Sequence, residues 1–403
     1  MVIGIYSLSE FLDMDSAYWG LGFIKGVIYF SLCTHNPNKS ATFFSFNPVN
    51  KKIKKIFTLS EIIPPKKNCL PQGKVHTPLF EGTDGNLYFG THFAYPFGRP
   101  QSIQFEGGHL ISFNPKTKLV QDLGVPVKNE GIVTMILDKQ KMVIYGLSAP
   151  SFEFFIYNIN EKKYSNLGKI TKNGSICRAL VLDVNGNVYG SFEKNHIFKY
   201  NNKCARIEYL KAKLPDSDKK VQEWKGKYRG GVNYIGRKIW RSALWHEKTQ
   251  KIYGIHAETS RLFNFDPRTE VINSSIFIAE DNLNNRLDQI YPTLSLALYK
   301  DELFYISVNG FFDYSRSENI VGYPSLISYN IMKNKKINHG KIINNAQRVL
   351  GVAGSTMTDN GMLYLLGAVE VIKDEEYNKF NVIDGKSFNL GLIEIDTNQL
   401  KYE

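Results

Sequence analysis

Short apolar runs that alternate with polar positions, separated by turn residues, make up most of the chain, which is a pattern typical of β-strands. One version recurs seven times, as an apolar run ending in tyrosine that glycine often follows. These tyrosines lie 44 to 64 residues apart, at Tyr29, Tyr88, Tyr145, Tyr189, Tyr253, Tyr305 and Tyr364. Helical periodicity is nearly absent, so the pattern predicts an all-β chain built from one repeated unit.

A second pattern follows each tyrosine, namely an aromatic residue or isoleucine before Asn or Asp, sometimes with Pro next. Its members alternate strictly with the tyrosines: Phe46-Asn47, Phe113-Asn114, Tyr157-Asn158, Tyr200-Asn201, Phe265-Asp266, Tyr329-Asn330 and Ile395-Asp396. Asn and Asp start turns because their side chains bond to nearby backbone. We therefore assign the tyrosine run to the second strand, and the Asn/Asp run to the third strand, of a four-stranded antiparallel unit.

Seven such units predict a seven-bladed β-propeller of four-stranded antiparallel blades. A single blade cannot bury both of its faces, whereas blades packed around an axis cover one another. The first residues, Val2–Tyr6, are expected to pair with the last blade near Leu392–Ile395 and close the ring. No linker composition interrupts the repeats, so one domain is expected over residues 1–403.

The spacing between the two patterns is longest in blades one, two, six and seven, which indicates long loops between their second and third strands. Those loops share a propeller face with the segments that enter each first strand. Function usually lies on loops that a rigid scaffold holds. The predicted functional face carries Phe93–Gly108, Gly310–Tyr323, Glu370–Ser387 and residues 211–237.

Histidines mark this face in blade two. A hairpin centred on Asp84 places His76 directly opposite His92, and directly opposed side chains are in contact. His109 follows Gly107-Gly108 on the next strand, at about the level of His92. His35 lies in a blade-one loop and is a further candidate.

Blades four and five repeat the arrangement with arginine. Arg241 lies 12 residues before its blade's tyrosine, as His76 does, and Arg178 lies 11 residues before its own. About the turn of blade five, Arg241 is expected opposite His256. The prediction is that His76, His92, Arg178, Arg241 and His256 converge near the channel mouth.

This residue set favours β-elimination on a uronic acid sugar. The reaction needs a cation beside the carboxylate, which Arg178 or Arg241 supplies. It also needs an acid and a base that work near neutral pH, and His76 and His92 meet that need. Tyr228, in the long polar segment, is expected to assist, and Tyr95 and Tyr234 lie in similar loops.

A resemblance supports this expectation. The stretch from His76 to His92, continuing to Gly107-Gly108-His109, resembles a group of bacterial propeller proteins found with polysaccharide-degrading functions. The two-histidine hairpin also resembles propeller polysaccharide lyases such as ulvan lyases and rhamnose–glucuronate lyases. That likeness implies metal-independent elimination in a central groove, by a histidine pair with tyrosine and arginine.

Two alternatives stay open. His76, His92 and His109 could bind zinc or manganese instead, for which propeller oligogalacturonate lyases are a precedent. A non-catalytic propeller that binds an acidic glycan or a protein partner would also suit aromatic, basic loops. Glycoside hydrolysis is disfavoured because no carboxylate pair occupies the first strands, and the glycine loop of nucleotide-binding proteins is missing.

Charge and cysteine content constrain the partner and the compartment. The net charge of +12 is spread along the chain, whereas a nucleic-acid binder usually concentrates its charge on one face. The charge indicates a basic surface or attraction to an acidic ligand such as a polyanionic glycan, and no nucleic-acid partner is expected. The four cysteines form no CxxC, so free thiols are expected. The start of the chain shows no signal peptide and no membrane span, so a cytoplasmic location is expected, or a periplasmic or secreted one if a leader was removed.

Overall fold

Seven antiparallel sheets, one for each predicted repeat, arrange as a seven-bladed β-propeller in a computed structural model of the chain, which confirms the predicted fold class. The structure describes residues 3–94, 103–172, 176–216, 238–257, 259, 261–277, 295–307, 324–344, 347–372, 375–376, 382–383 and 386–400. Within these ranges, no helix is long and apolar enough to span a membrane.

The chain divides into two compact units, Asp13–Lys172 and the combination of Met1–Leu12 with Asn173–Glu403. The expectation of one domain stays a prediction.

The first unit holds blades one to three. Blade one has strands Ser16–Ile24, Val27–Cys33, Thr42–Asn47 and Lys52–Thr58, followed by a helical turn, Leu59–Ile62. Blade two has Gln72–Val75 with Phe80–Glu81, then Leu87–Phe93, Leu110–Phe113 and Val120–Asp122. Blade three has Gly131–Asp138, Val143–Ala149, Glu153–Asn158 and Lys163–Lys169.

The second unit holds blades four to seven. Blade four has Val181–Leu182, Val188–Phe192, His196–Asn201 and Arg206–Lys213. Blade five has Trp240–His246, Lys251–His256, Arg261–Asp266 and Val271–Phe277. Blade six has Ala297–Tyr299, Glu302–Ile306, Ser325–Asn330 and Lys335–Lys341. Blade seven has Gln347–Met357, Met362–Glu370 and Lys386–Asp396, with the short strands Ile343–Asn344 and Val382–Ile383 and a 3-10 turn, Thr397–Gln399.

The repeated tyrosine has a structural reason in the first hairpin of a blade. The Tyr88 hydroxyl donates to Asp84 in the hairpin turn at 2.6 Å, and Tyr189 donates to Asp183 at 3.1 Å. Burial and the neighbouring carboxylate raise the pKa of both tyrosines, so each stays a proton donor. The tyrosine thereby fixes the turn in these two blades.

The repeated Asn or Asp also has a reason. In every blade its side-chain oxygen accepts a hydrogen bond from a backbone N–H two or three residues later, which is a turn that mimics a backbone turn. The seven acceptors are Asn47, Asn114, Asn158, Asn201, Asp266, Asn330 and Asp396. The predicted turn after the third strand is therefore confirmed in all seven blades.

The first strand of the chain, Ile3–Ser7, completes blade seven. It pairs antiparallel with the strand Lys386–Asp396, from Ile3 opposite Ile395 to Ser7 opposite Gly391. Buried Glu394 accepts hydrogen bonds from Tyr6 at 2.7 Å and from Tyr364 at 2.6 Å. The expected pairing of the two chain ends is thus confirmed.

An aromatic core holds blade one against blade two. Phe43 of blade one stacks on Phe89 of blade two with ring centroids 5.1 Å apart, and Phe57 and Phe113 extend the cluster. All four rings are buried. Burying each aromatic ring stabilises the fold by about 1.5–3 kcal/mol. This core fixes the relative position of the two blades whose ends carry the candidate site.

Candidate functional site

The predicted contact between His76 and His92 is present. Their rings stack with centroids 4.6 Å apart and planes 19° from parallel. The predicted register is confirmed near the turn, where Phe80 pairs with Tyr88, but it is wrong at His92, which pairs with Lys74 instead of His76. Between Val75 and Phe80 the chain does not pair with the strand Leu87–Phe93. His76 therefore has no backbone partner in that strand, and its side chain makes the contact with His92.

Tyr18 of blade one extends the stack. Its ring lies on the His76 ring, with centroids 4.0 Å apart and planes 20° from parallel. The pairing of the first two strands shifts register between Ala17 and Leu21, so Tyr18 leaves the regular ladder. Such bulges re-aim side chains and are common beside active sites. Gly20, inside the bulge, leaves room for Val75, whose side chain a Cβ would meet at 2.9 Å.

Tyr18 also ends a relay of three polar side chains. Its hydroxyl lies 3.1 Å from Nε2 of His35, and Nδ1 of His35 lies 2.9 Å from Oδ1 of Asp15. The backbone N–H of His35 donates to both carboxylate oxygens of Asp15 at 3.1 Å. This double attachment fixes the imidazole between the carboxylate and the tyrosine hydroxyl.

The charges around His35 set its tautomer. Burial lowers its pKa, the hydrogen bond to Asp15 opposes this, and the Lys74 charge lowers the pKa further. A neutral imidazole has one N–H, and the acceptor-only carboxylate of Asp15 requires it at Nδ1. Nε2 is then an acceptor for the Tyr18 hydroxyl proton. The arrangement is chemically able to draw a proton from Tyr18, as a histidine draws one from serine in hydrolases.

Neighbouring backbone holds the stack in place. A Cβ on Gly131 of blade three would lie 2.3 Å from Cδ2 of His92, so the imidazole rests directly on that backbone. Behind it, the Thr91 hydroxyl donates to Gln72 at 2.7 Å, and the Gln72 amide donates to the Gly107 carbonyl at 2.8 Å. The Gly107-Gly108 pair is accordingly a close backbone approach.

His109 does not join the histidine pair in a metal site. Its Nδ1 lies 2.9 Å from both oxygens of Asp122, and its Nε2 is buried with no hydrogen-bond partner among the described residues. In the same part of the chain, no three His, Cys, Asp or Glu side chains are placed to hold a metal ion. The alternative zinc or manganese set of His76, His92 and His109 is therefore not assembled.

Three predicted residues lie in the other compact unit. His256 is fully buried, and its ring nitrogens each lie 2.8 Å from a side-chain oxygen, of Thr259 and of Asn195. His256 pairs with Trp240, so Arg241 is not opposite it as expected but buried in a strand bulge. Arg178 is half-buried and precedes its blade's first strand. Convergence of these residues with the histidine pair stays a prediction.

The long loops of the predicted face fall largely outside the described residues. Tyr228, Tyr95, Tyr234 and the loop 310–323 are among those positions. The assistance expected from Tyr228 stays a prediction. Tyr18, Asp15 and Lys74 were missed because the repeat patterns say nothing about a strand bulge. One signal was present in the sequence: Asp15 and Tyr18 lie at the entry of a first strand, on the predicted face.

Comparisons with known proteins establish the fold alone. No protein-family model matches the chain, and no curated protein is recognisably similar to it. A chain in a crystal structure of the Mitotic Checkpoint Complex superposes with a TM-score of 0.55, over 98% of this chain and 91% of that chain. Its sequence identity is 9%, so this similarity confirms the propeller and carries no function.

Proposed function

We propose that the chain is a carbohydrate-active lyase that cleaves a uronate-containing glycan by β-elimination. The observation that carries the proposal is the Asp15–His35–Tyr18 relay, whose tyrosine stacks on His76 at 4.0 Å. It joins a base, a titratable hydroxyl and a second histidine within one cluster. Tyr18, His35 and His76 are neither fully buried nor fully exposed, and 11% of the His35 side chain is exposed.

The relay suits the first half of the reaction. Tyr18 passes its proton to Nε2 of His35 and takes the proton from the carbon beside the substrate carboxylate. Asp15 stabilises the imidazolium that forms on His35, as a carboxylate does in other relays. The electron pair of the broken C–H bond enters the new carbon–carbon double bond.

The stacked histidines suit the second half. As the double bond forms, the glycosidic carbon–oxygen bond breaks, and the leaving oxygen needs a proton. His76 lies next to Tyr18 and donates it, while His92 packs behind His76. Positioned acid–base catalysis of this kind contributes typically ~10²–10⁴-fold to a rate. No metal or cofactor takes part in the proposed reaction.

The proposal is tested by incubating the protein with a panel of uronate oligosaccharides and following the ultraviolet absorbance of the unsaturated product. Tyr18→Phe, His76→Ala and His92→Ala should each slow product formation strongly. Tyr209→Phe is the matched control, because Tyr209 is 57% exposed on an outer strand. Binding without product from any uronate would favour the non-catalytic alternative, and unchanged rates in all three variants would remove the site.

A further inference from the structure

The turns between the third and fourth strands of blades one to three are basic. They span residues 47–52, 114–119 and 158–163, and together they carry six lysines and one glutamate, all of them exposed. Five of these lysines form no ion pair with any residue that the structure describes: Lys52, Lys116, Lys118, Lys162 and Lys163. The three turns therefore present an excess of positive charge to the surroundings, and we call them the basic face.

Ion pairs connect the three blades at the end that carries the basic face. Glu81 of blade two lies 3.4 Å from the Lys25 amine of blade one and 3.2 Å from the Lys139 amine of blade three. These residues belong to the first hairpins, whose turns are at the same end of an antiparallel blade as the turn between the third and fourth strands. The three basic turns are therefore neighbours, and the Glu81 carboxylate between the blades is already paired.

Two exposed apolar side chains lie among these lysines. Val49 is 90% exposed in the blade-one turn, and Leu119 is 55% exposed directly after Lys118. The backbone N–H of Val49 donates to Oδ1 of Asn47 at 2.8 Å, so the turn has a fixed shape. Apolar side chains between lysines suit the boundary of a lipid bilayer, where headgroups meet acyl chains. A dissolved polyanion would contact the lysines but would leave Val49 and Leu119 in water.

We propose that the basic face docks the protein on an anionic membrane surface. The lysines lie beside the negatively charged headgroups, and Val49 and Leu119 enter the boundary below them. The negative potential of such a surface attracts lysines within about a Debye length, roughly 8–10 Å at moderate salt. Attachment of this kind is peripheral, so it requires no segment that spans the bilayer.

The basic face lies at the far end of blade two from the stacked histidines. Leu87 pairs with Phe113 beside the basic turn, and His92 lies five residues further along the same strand, about 17 Å away. Docking by the basic face therefore directs this end of the blade away from the lipid. It does not involve the candidate site, so this inference is independent of the proposed lyase reaction.

The test compares vesicles that differ in charge. Wild-type protein is sedimented with vesicles of phosphatidylcholine alone and with vesicles that also contain phosphatidylserine. Binding to the mixed vesicles should be tighter, and added salt should weaken it. The double variant Lys52→Gln/Lys116→Gln should weaken it by roughly 25-fold, because each lysine near the surface contributes about fivefold. The matched control is Lys67→Gln/Lys128→Gln, which removes the same charge from exposed positions in the segments that enter blades two and three.

Each outcome decides for or against docking on lipid. Equal binding to neutral and mixed vesicles would overturn the proposal. Equal weakening by the basic-face variant and by the control would also overturn it, because net charge alone would then explain the binding. Val49→Asn keeps every lysine and should weaken vesicle binding several-fold, while binding to dissolved polyglutamate stays unchanged. If Val49→Asn binds vesicles like the wild type and polyglutamate displaces the protein from them, the partner is a dissolved polyanion and the membrane proposal fails.

Discussion

His35 and His256 each have both ring nitrogens within hydrogen-bond distance of a side chain, but the partners differ in kind. His35 lies between a carboxylate and the hydroxyl of Tyr18, and both partners titrate. His256 lies between the Thr259 hydroxyl and the Asn195 amide oxygen, and neither titrates in water. Two histidines near the ends of second strands therefore do not share one chemistry. The partners of the ring separate a histidine that can move a proton from one that holds two segments together.

The largest expected effect is on the rate of elimination, and it tests whether His35 moves a proton. Tyr18→Phe and His35→Ala remove the hydroxyl or its base, and the rate of elimination should fall by ~10²–10⁴-fold. The measurement is kcat/KM on the best uronate substrate, with thermal unfolding as the check on folding. A rate within a few-fold of wild type in both variants would mean that the two histidines do not differ in role.

A smaller loss of elimination rate is expected from a substitution that only displaces the His92 ring. Gly131→Ala places a Cβ 2.3 Å from the imidazole, so the ring must shift and the stack with His76 opens. A displacement of about 1 Å can cost ~10²-fold in rate. Single-turnover kinetics should show the loss in the chemical step. An unchanged rate would show that the stack has no part in positioning His76.

His256→Ala tests whether His256 is structural, and it should lower the free energy of unfolding. It leaves the buried Asn195 amide oxygen without its partner, which costs about 1–3 kcal/mol before any loss of packing. Denaturant unfolding should show a lower midpoint, whereas kcat/KM per folded molecule should stay near wild type. A large loss of rate with stability intact would contradict the structural role and support the prediction that His256 belongs to the site.

The pH dependence sharpens the comparison further. Burial and the Lys74 charge lower the pKa of His35 below its ordinary 6.5, so the native state binds fewer protons there than the unfolded state. Elimination should therefore persist as the pH falls below 6.5, while His35 contributes a loss of stability over the same range. Lys74→Met should move the acid limb of the rate profile to higher pH. An acid limb at or above 6.5 in the wild type would contradict this.

The smallest effect belongs to the scaffold. Tyr88→Phe removes the hydrogen bond to Asp84, and the free energy of unfolding should fall by about 1 kcal/mol. Tyr189→Phe is the matched change in blade four, where the bond to Asp183 is longer. Differential scanning calorimetry should show the larger shift for Tyr88→Phe. Neither variant should alter the elimination rate, and a rate change would mean that the turns communicate with the site.

The sequence predicted the scaffold well because each repeated residue performs one local task. The Asn and Asp positions form the same turn in all seven blades, and such turns depend only on neighbours in the chain. The contact between His76 and His92 was predicted from the hairpin, although the ladder register was wrong there. The contact of Tyr18 with His76 could not be predicted, because it depends on a bulge and on a stack between two blades.

One feature, the pairing of Ile3–Ser7 with Lys386–Asp396, has a consequence for the order in which the molecule can be built. The strand Ile3–Ser7 leaves the ribosome long before Lys386–Asp396 is synthesised. It therefore stays without this partner during most of the synthesis. Joining such distant segments carries a large loop-closure entropy and favours slow completion. Blade seven is therefore expected to be the last blade to form. Until Ile3–Ser7 pairs with it, the strand Lys386–Asp396 has an open edge on which other chains can pair.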